Sequence, residues 1–197
     1  SGWFTGPPGA APGAPAVNRR PPECTTSPDP GGLNSFFQNG ALLKGSDYPK
    51  PFGLPDGRVL WFFQDAYVTG RAGSSDMVHN VGLIQTGVCF ELLSSGGFAD
   101  PHEYLFADAT QHQRHWVWPL SGDMGSDGRF HLFVAEMREN GPTYLSFTEP
   151  VATWIVTIDI ATLQVVDRRP APNSSAALYG WSVTSSTNYT YLYAHCY

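Results

Sequence analysis

The chain has 197 residues, enough for a sizeable core. Charged residues make up only 14%, against a usual value of about 25%, while hydrophobic residues reach 42% and aromatics 14%. With a net charge of -6, no Lys/Arg run longer than two, and no apolar stretch near the roughly 18 residues of a membrane helix, the composition argues against nucleic acid, anionic membrane and a membrane span.

Residues 1–44 read as a Pro/Gly-rich extended arm or linker, running from Gly6-Pro7-Pro8-Gly9 through Pro28-Asp29-Pro30-Gly31-Gly32. The chain opens Ser1-Gly2-Trp3 without a starting Met, and is expected to be a mature or partial form. Cys24, Cys89 and Cys196 match no zinc spacing and leave either one disulfide with a spare thiol or three free thiols. The sequons at Asn173 and Asn188 lend weak support to a secreted, extracellular or cell-surface location.

From residue 45 the texture changes to short apolar runs separated by turn signals, the pattern of strands. A first group predicts strands at 48–54, 58–63, 77–85 and 88–93, with a hairpin turn at Asp56-Gly57 and another at Thr86-Gly87. A second group predicts 115–119, 129–137, 153–160 and 163–166, with a turn at Ser126-Asp127-Gly128. A third begins at 178–183, turns at Thr187-Asn188 and continues over 189–196.

Aligning the second strand of each group places Asp65, Glu136 and His195 at one position, spaced 71 and 59 residues apart. Short strands at such a period predict an all-β fold of propeller blades, with about two and a half blades present: 45–100, 112–170 and an incomplete 176–197. A β-sandwich also gives short strands but does not require the repeat. On the blade reading, 45–197 is a partial propeller whose remaining blades come from the same precursor or from a partner chain.

A tight hairpin between strands one and two brings the start of the first and the end of the second to one rim. That rim collects Asp47, Tyr48, Asp65, Asp76, His79 and Asn80 from the first group, His115, Trp116 and Glu136 from the second, and Tyr179, Trp181 and His195 from the third. Carboxylates arriving from separate blades are what glycoside hydrolysis uses, one as general acid and one as base or nucleophile. Asp65 and Glu136 are the expected catalytic pair. Asp76, His79, Asn80, His115, Trp116, Trp181 and His195 are the expected substrate contacts, with Trp118 a further stacking candidate. The bland alternatives are a strand-end Asp capping a turn and a Glu136 sharing surface charge pairs with Arg138. No cofactor and no catalytic metal are expected; a structural calcium between Asp123 and Asp127 is conceivable, though the spacing of an EF-hand is absent.

The stretch from Leu54-Pro55-Asp56-Gly57-Arg58 through Trp61-Phe62-Phe63-Gln64-Asp65 resembles the first-blade signature of bacterial five-bladed propeller glycosidases. Met77-Val78-His79-Asn80 is similar to the strand that follows in those families, and His115-Trp116-Val117-Trp118-Pro119 to their second-blade Trp-Pro strand. The nearest resemblance is to the endo-D-arabinanase-like family and the wider arabinanase/levanase-like propellers. It implies a five-bladed fold, hydrolysis of a furanose-type or related polysaccharide, and a catalytic Asp65. Gln64 and Ala66 stand where those families have Gly and Thr. That difference keeps a second expectation open, a non-catalytic glycan-binding or structural propeller within an extracellular assembly.

Overall fold

The computed structural model describes residues 16–27, 29–70, 75–105, 115–139, 148–171 and 178–195. Among them the protein is almost entirely β-structure with one short helix. They fall into two compact units, one within 15–107 and one within 108–197.

The first unit runs β1 (Asn18–Arg19), β2 (Glu23–Cys24), α1 (Pro30–Asn39), β3 (Leu43–Ser46), β4 (Lys50–Gly53), β5 (Val59–Phe63), β6 (Ala66–Thr69), β7 (Ser75–Val78), β8 (Val81–Thr86), β9 (Cys89–Gly97) and β10 (Asp100–His102). Its main sheet is an antiparallel meander, β4-β5-β8-β9, extended by β1, β2 and β10 on the β9 side. A second sheet, β3-β6-β7, is inserted between β5 and β8 and closed by the upstream strand β3. Leu60 and Phe62 of β5 are fully buried and Phe63 almost so. A run that apolar on both sides is what a central strand covered on two faces requires. On one face Phe63, Val81, Leu83 and Leu92 pack under α1, where the Phe36 ring stacks 4.1 Å from Phe90. On the other, Phe62 meets Tyr104 at 6.2 Å and Phe52 at 6.0 Å.

The expected arm over residues 1–44 is corrected for 16–44; residues 1–15 lie outside the described residues. Pro30 sits at the start of α1, where its missing N–H has no partner to lose, and Asp29 caps the helix by accepting from Gly32 N at 2.8 Å. Leu33, Phe36 and Phe37 then recur on one face and enter the core. The Glu23 carboxylate receives Ala41 N and Leu42 N as the chain leaves the helix. Cys24 and Cys89, directly opposite one another on β2 and β9, are joined by a disulfide; Cys196 lies outside the described residues.

The expected strand 77–85 is also corrected. It is two strands broken at His79-Asn80: β7 belongs to the inserted sheet and β8 to the meander.

The second unit runs β11 (His115–Met124), β12 (Phe130–Glu139), β13 (Thr148–Ile158), β14 (Val165–Pro170), β15 (Leu178–Ser185) and β16 (Thr190–His195). The first four form a meander in chain order, with a bulge between Pro119 and Gly122. β15 and β16 form a two-stranded sheet whose inner residues Leu178, Val183 and Leu192 pack against Phe133, Met137 and Ile155. Gly180 sits so close over Phe133 that an added Cβ would lie 2.2 Å from that residue's Cβ.

Both meanders use the same kind of turn. Gly57 and Gly128 both adopt positive φ, 86° and 74°. Asp56 and Asp127 each accept from the backbone N–H two residues on, at 3.1 Å in both cases. Glycine reaches this conformation without steric cost, and the Asp pre-forms the turn.

Candidate functional site

In the first unit the site is built at the strand ends opposite the Asp56-Gly57 turn. Asp47, just past β3, donates its N–H to Asp65 O at 3.0 Å and accepts from Gln64 N at 3.2 Å. These two bonds bring the Asp47 and Asp65 side chains to one corner. Tyr48 follows with φ 49°, a conformation that costs a residue bearing a Cβ on the order of 1 kcal/mol. Asp65 lies between β5 and β6, and its Oδ1 is 2.8 Å from His79 Nδ1. His79 reaches it because the inserted β6-β7 hairpin returns the chain to Ala66, which pairs with Val78. Both side chains are partly open to solvent, Asp65 at 35% and His79 at 20%. Burial, reinforced by the charge of Asp65, holds the Asp47 carboxyl above its ordinary value. The corner therefore holds two interacting carboxylates, one of them paired with an imidazole.

Behind it lies a buried polar layer. Asn80 is fully buried and its Oδ1 accepts from Leu105 N at 2.9 Å. That takes Asn80 out of reach of a substrate, correcting the expected contact: it anchors the 104–105 segment instead. Glu103 is buried too, with Oε1 a long 3.5 Å from His79 N. Asp76 pairs through its backbone with Val68 in the inserted sheet, and its side chain lies outside the described set.

In the second unit the same strand end carries Glu136. His115 Nδ1 is 3.0 Å from Glu136 Oε1, and Trp154 donates from Nε1 to Oε2 at 2.7 Å. Both carboxylate oxygens are thus engaged, and the side chain is 17% exposed. The structure brings the two sequence candidates Glu136 and His115 together. Trp154 was missed by sequence reasoning, because it comes from the next strand over, opposite Val134. Trp116 and Trp118, edge to face at 6.1 Å, are partly buried against the core. Trp181 is 37% exposed. His195 pairs with Leu178 through its backbone; its side chain is outside the described set.

At the opposite strand ends lies Asp127, with its side chain 31% exposed. Its Oδ1 lies 3.0 Å from Nε2 of the buried His131, whose Nδ1 is 3.1 Å from Thr157 Oγ1. Asp123 accepts from Met124 N at 2.8 Å. Among the described residues, no group of three or more His, Cys, Asp or Glu is arranged to hold a metal, and no helix is long and apolar enough to cross a membrane.

Residues 32–196 match the family described as domain of unknown function DUF5005. The chain belongs to that family. The DUF5005 chain is also similar in fold to the crystal structure of a Bacteroides ovatus protein whose assignment as a hydrolase is provisional, with a TM-score of 0.63 at 15% identity. The match covers 83% of this chain and 48% of the other, so the chain spans about half the length of that structure. No curated protein matches it.

Proposed function

We propose that this DUF5005 chain is part of an extracellular β-propeller that hydrolyses a furanose-type or related polysaccharide, with Asp65 and Glu136 as catalytic carboxylates. The observation that carries the reading is the Asp47–Asp65–His79 corner. A solvent-reachable carboxylate, Asp65, is oriented by an imidazole at the end of a central strand, beside the Asp47 carboxyl, which burial and the Asp65 charge hold above its ordinary value. Glycoside hydrolysis needs carboxyl groups in two protonation states. The propeller reading draws on two successive four-stranded meanders, the Asp-Gly turn common to both and the face-to-face packing of β15–β16 on the second meander. The remaining blades belong to the same precursor or a partner chain. The Cys24–Cys89 disulfide fits a secreted protein.

The test is release of reducing ends from arabinan or arabinogalactan by the polypeptide carrying this chain. Turnover should fall by about 10²-fold or more in Asp65→Asn. Undiminished turnover in that variant would remove Asp65 from the mechanism.

One observation favours a second reading, a glycan-binding or structural propeller without turnover. Both oxygens of Glu136 are held within its own unit by His115 and Trp154. Binding on a glycan array with no hydrolysis by the same polypeptide would select it.

A further inference from the structure

Three arginines of the first unit fall among the described residues, and two of them are used in the same way. Arg19 donates from Nε and Nη2 to the two carboxylate oxygens of Glu91, at 3.0 and 2.8 Å. Arg58 donates from the same two nitrogens to Asp56, at 2.8 and 2.6 Å. Nε and Nη2 form the edge of the guanidinium that matches a carboxylate, with two parallel N–H groups facing two oxygens. Arg20 is the third. It is buried, at 6% exposure, and its Nη1 donates to the carbonyl of Thr69. Its Nε and Nη2 are buried and meet no acceptor among the described residues.

Two hydroxyls stand beside this edge in the same condition. The register of β1 on β9 sets Asn18 opposite Ser94, and Arg20 N donates to Leu92 O at 3.2 Å. Arg20 and Ser94 therefore share one face of the sheet as diagonal neighbours, within reach of a long side chain. Ser94 Oγ, like Thr69 Oγ1, is buried and meets no partner among the described residues. The ring of Phe98, partly buried on the turn between β9 and β10, lies over the guanidinium at 5.5 Å and forms a wall. Burial lowers the proton affinity of Arg20, yet a guanidinium stays charged near neutral pH. A buried cation with two unmet donors is costly unless an anion meets it.

We infer that Arg20, with Thr69 and Ser94, forms a binding site for the carboxylate group of a ligand, held on the Nε/Nη2 edge as Glu91 is held on that of Arg19. The two hydroxyls complete the set of donors, each giving its hydrogen to a carboxylate oxygen or to a neighbouring hydroxyl of the ligand. A planar carboxylate suits the two parallel donors and the flat wall of Phe98, whereas a tetrahedral anion turns oxygens toward the ring. Two classes of compound carry this group, a free organic acid and an acidic sugar. The site lies at the end of β6 remote from Asp65 and does not depend on the hydrolase reading.

Isothermal titration calorimetry of the 197-residue chain with sodium acetate, sodium glucuronate and sodium sulfate, at constant ionic strength, tests this. Acetate and glucuronate should each bind saturably at one site. Arg20→Lys keeps the charge without the fork and should weaken both about tenfold or more. Thr69→Val should weaken them about tenfold. Arg20→Met should bind neither, and should melt no lower than the wild type in carboxylate-free buffer, because it removes an uncompensated buried charge. Tighter binding of glucuronate assigns the group to an acidic sugar and tighter binding of acetate to a free acid; either upholds the site. Sulfate binding as tightly as both carboxylates overturns the carboxylate assignment. No saturable binding by the wild type, or an undiminished response in Arg20→Met, overturns the site. If Arg20→Met fails to fold, an unchanged acetate affinity in Thr69→Val overturns it instead.

Discussion

The imidazole of His79 and the carboxylate of Asp65 lie 2.8 Å apart although the main sheet alone would not bring them together. Asp65 leaves the end of β5, His79 leaves the end of β7, and only the inserted β6-β7 hairpin turns one back onto the other. Asp47 enters from upstream through β3 and its two backbone bonds to the 64–65 corner.

This arrangement makes Asp47 sensitive to Asp65. Burial and then the Asp65 charge raise the proton affinity of Asp47. Asp65→Asn removes the second cause and leaves the first, so Asp47 should titrate closer to an ordinary carboxylate. Carbon-13 NMR titration of the Asp47 carboxyl measures this directly; an unchanged titration would show that the two do not interact. The sign for stability follows. A raised value in the folded state stabilises below the unfolded value, and that contribution disappears as pH rises through the folded one. Asp47→Asn should flatten this part of the stability curve.

His131 acts in the opposite sense. Burial dominates and pushes its imidazole below the ordinary value of 6.5, against the pull of Asp127 and with help from Arg169 and Arg129. It is therefore a neutral donor to Asp127 through Nε2, with Thr157 donating to Nδ1. Burial works to raise Asp127, but the bonds from His131 and Arg129 N outweigh it and leave that carboxyl low. The unfolded chain takes up a proton at His131 that the folded one resists, so stability should fall as pH drops through about 6.5 toward the depressed folded value. Thermal melts of the wild type and His131→Gln between neutral and mildly acidic pH provide the comparison. A slope shared by both proteins would mean that other groups carry the pH dependence.

Gly180 should tolerate no side chain. Its φ of 86° strains any residue with a Cβ, and a methyl added there would lie 2.2 Å from Phe133 Cβ, clashing with the core of the second unit. Gly180→Ala is expected to cost about 3 kcal/mol or more in urea unfolding. A loss under about 0.5 kcal/mol would mean that β15 shifts freely over the meander.

The disulfide ties residues 65 apart in sequence. Replacing both cysteines by serine should lower stability by about 2–4 kcal/mol. The loss should be accompanied by faster amide exchange in α1, whose Phe36 and Phe37 pack on the same sheet. If exchange in α1 stays slow, aromatic packing alone holds the N-terminal segment.

Much of the meander architecture was readable from local chemistry. The Asp-Gly turns at 56–57 and 127–128 announce hairpins, and antiparallel strands pair across both. The helix α1 was hidden because prolines and glycines around residue 30 read as breakers, while the Leu33/Phe36/Phe37 spacing that signals a buried helical face spans barely two turns. The inserted sheet was hidden for a different reason. Residues 77–85 are apolar enough to pass for one strand, and the break at His79-Asn80 arises from long-range bonds to Asp65 and Leu105. Asp65 and Glu136 stood out by position in their strands, but their partners His79 and Trp154 depend on which strands become neighbours, a tertiary fact.

The inserted sheet has a practical corollary for protein engineering. β3 and Asp47 precede the first strand of the meander, while β6 and β7 sit between its second and third. Anyone trimming the molecule to a minimal four-stranded module would delete Asp47 by starting at Lys50, or Asp65 and His79 themselves by splicing β5 directly to β8. The corner is assembled from three non-adjacent stretches, and grafting it onto another scaffold requires moving all of them together.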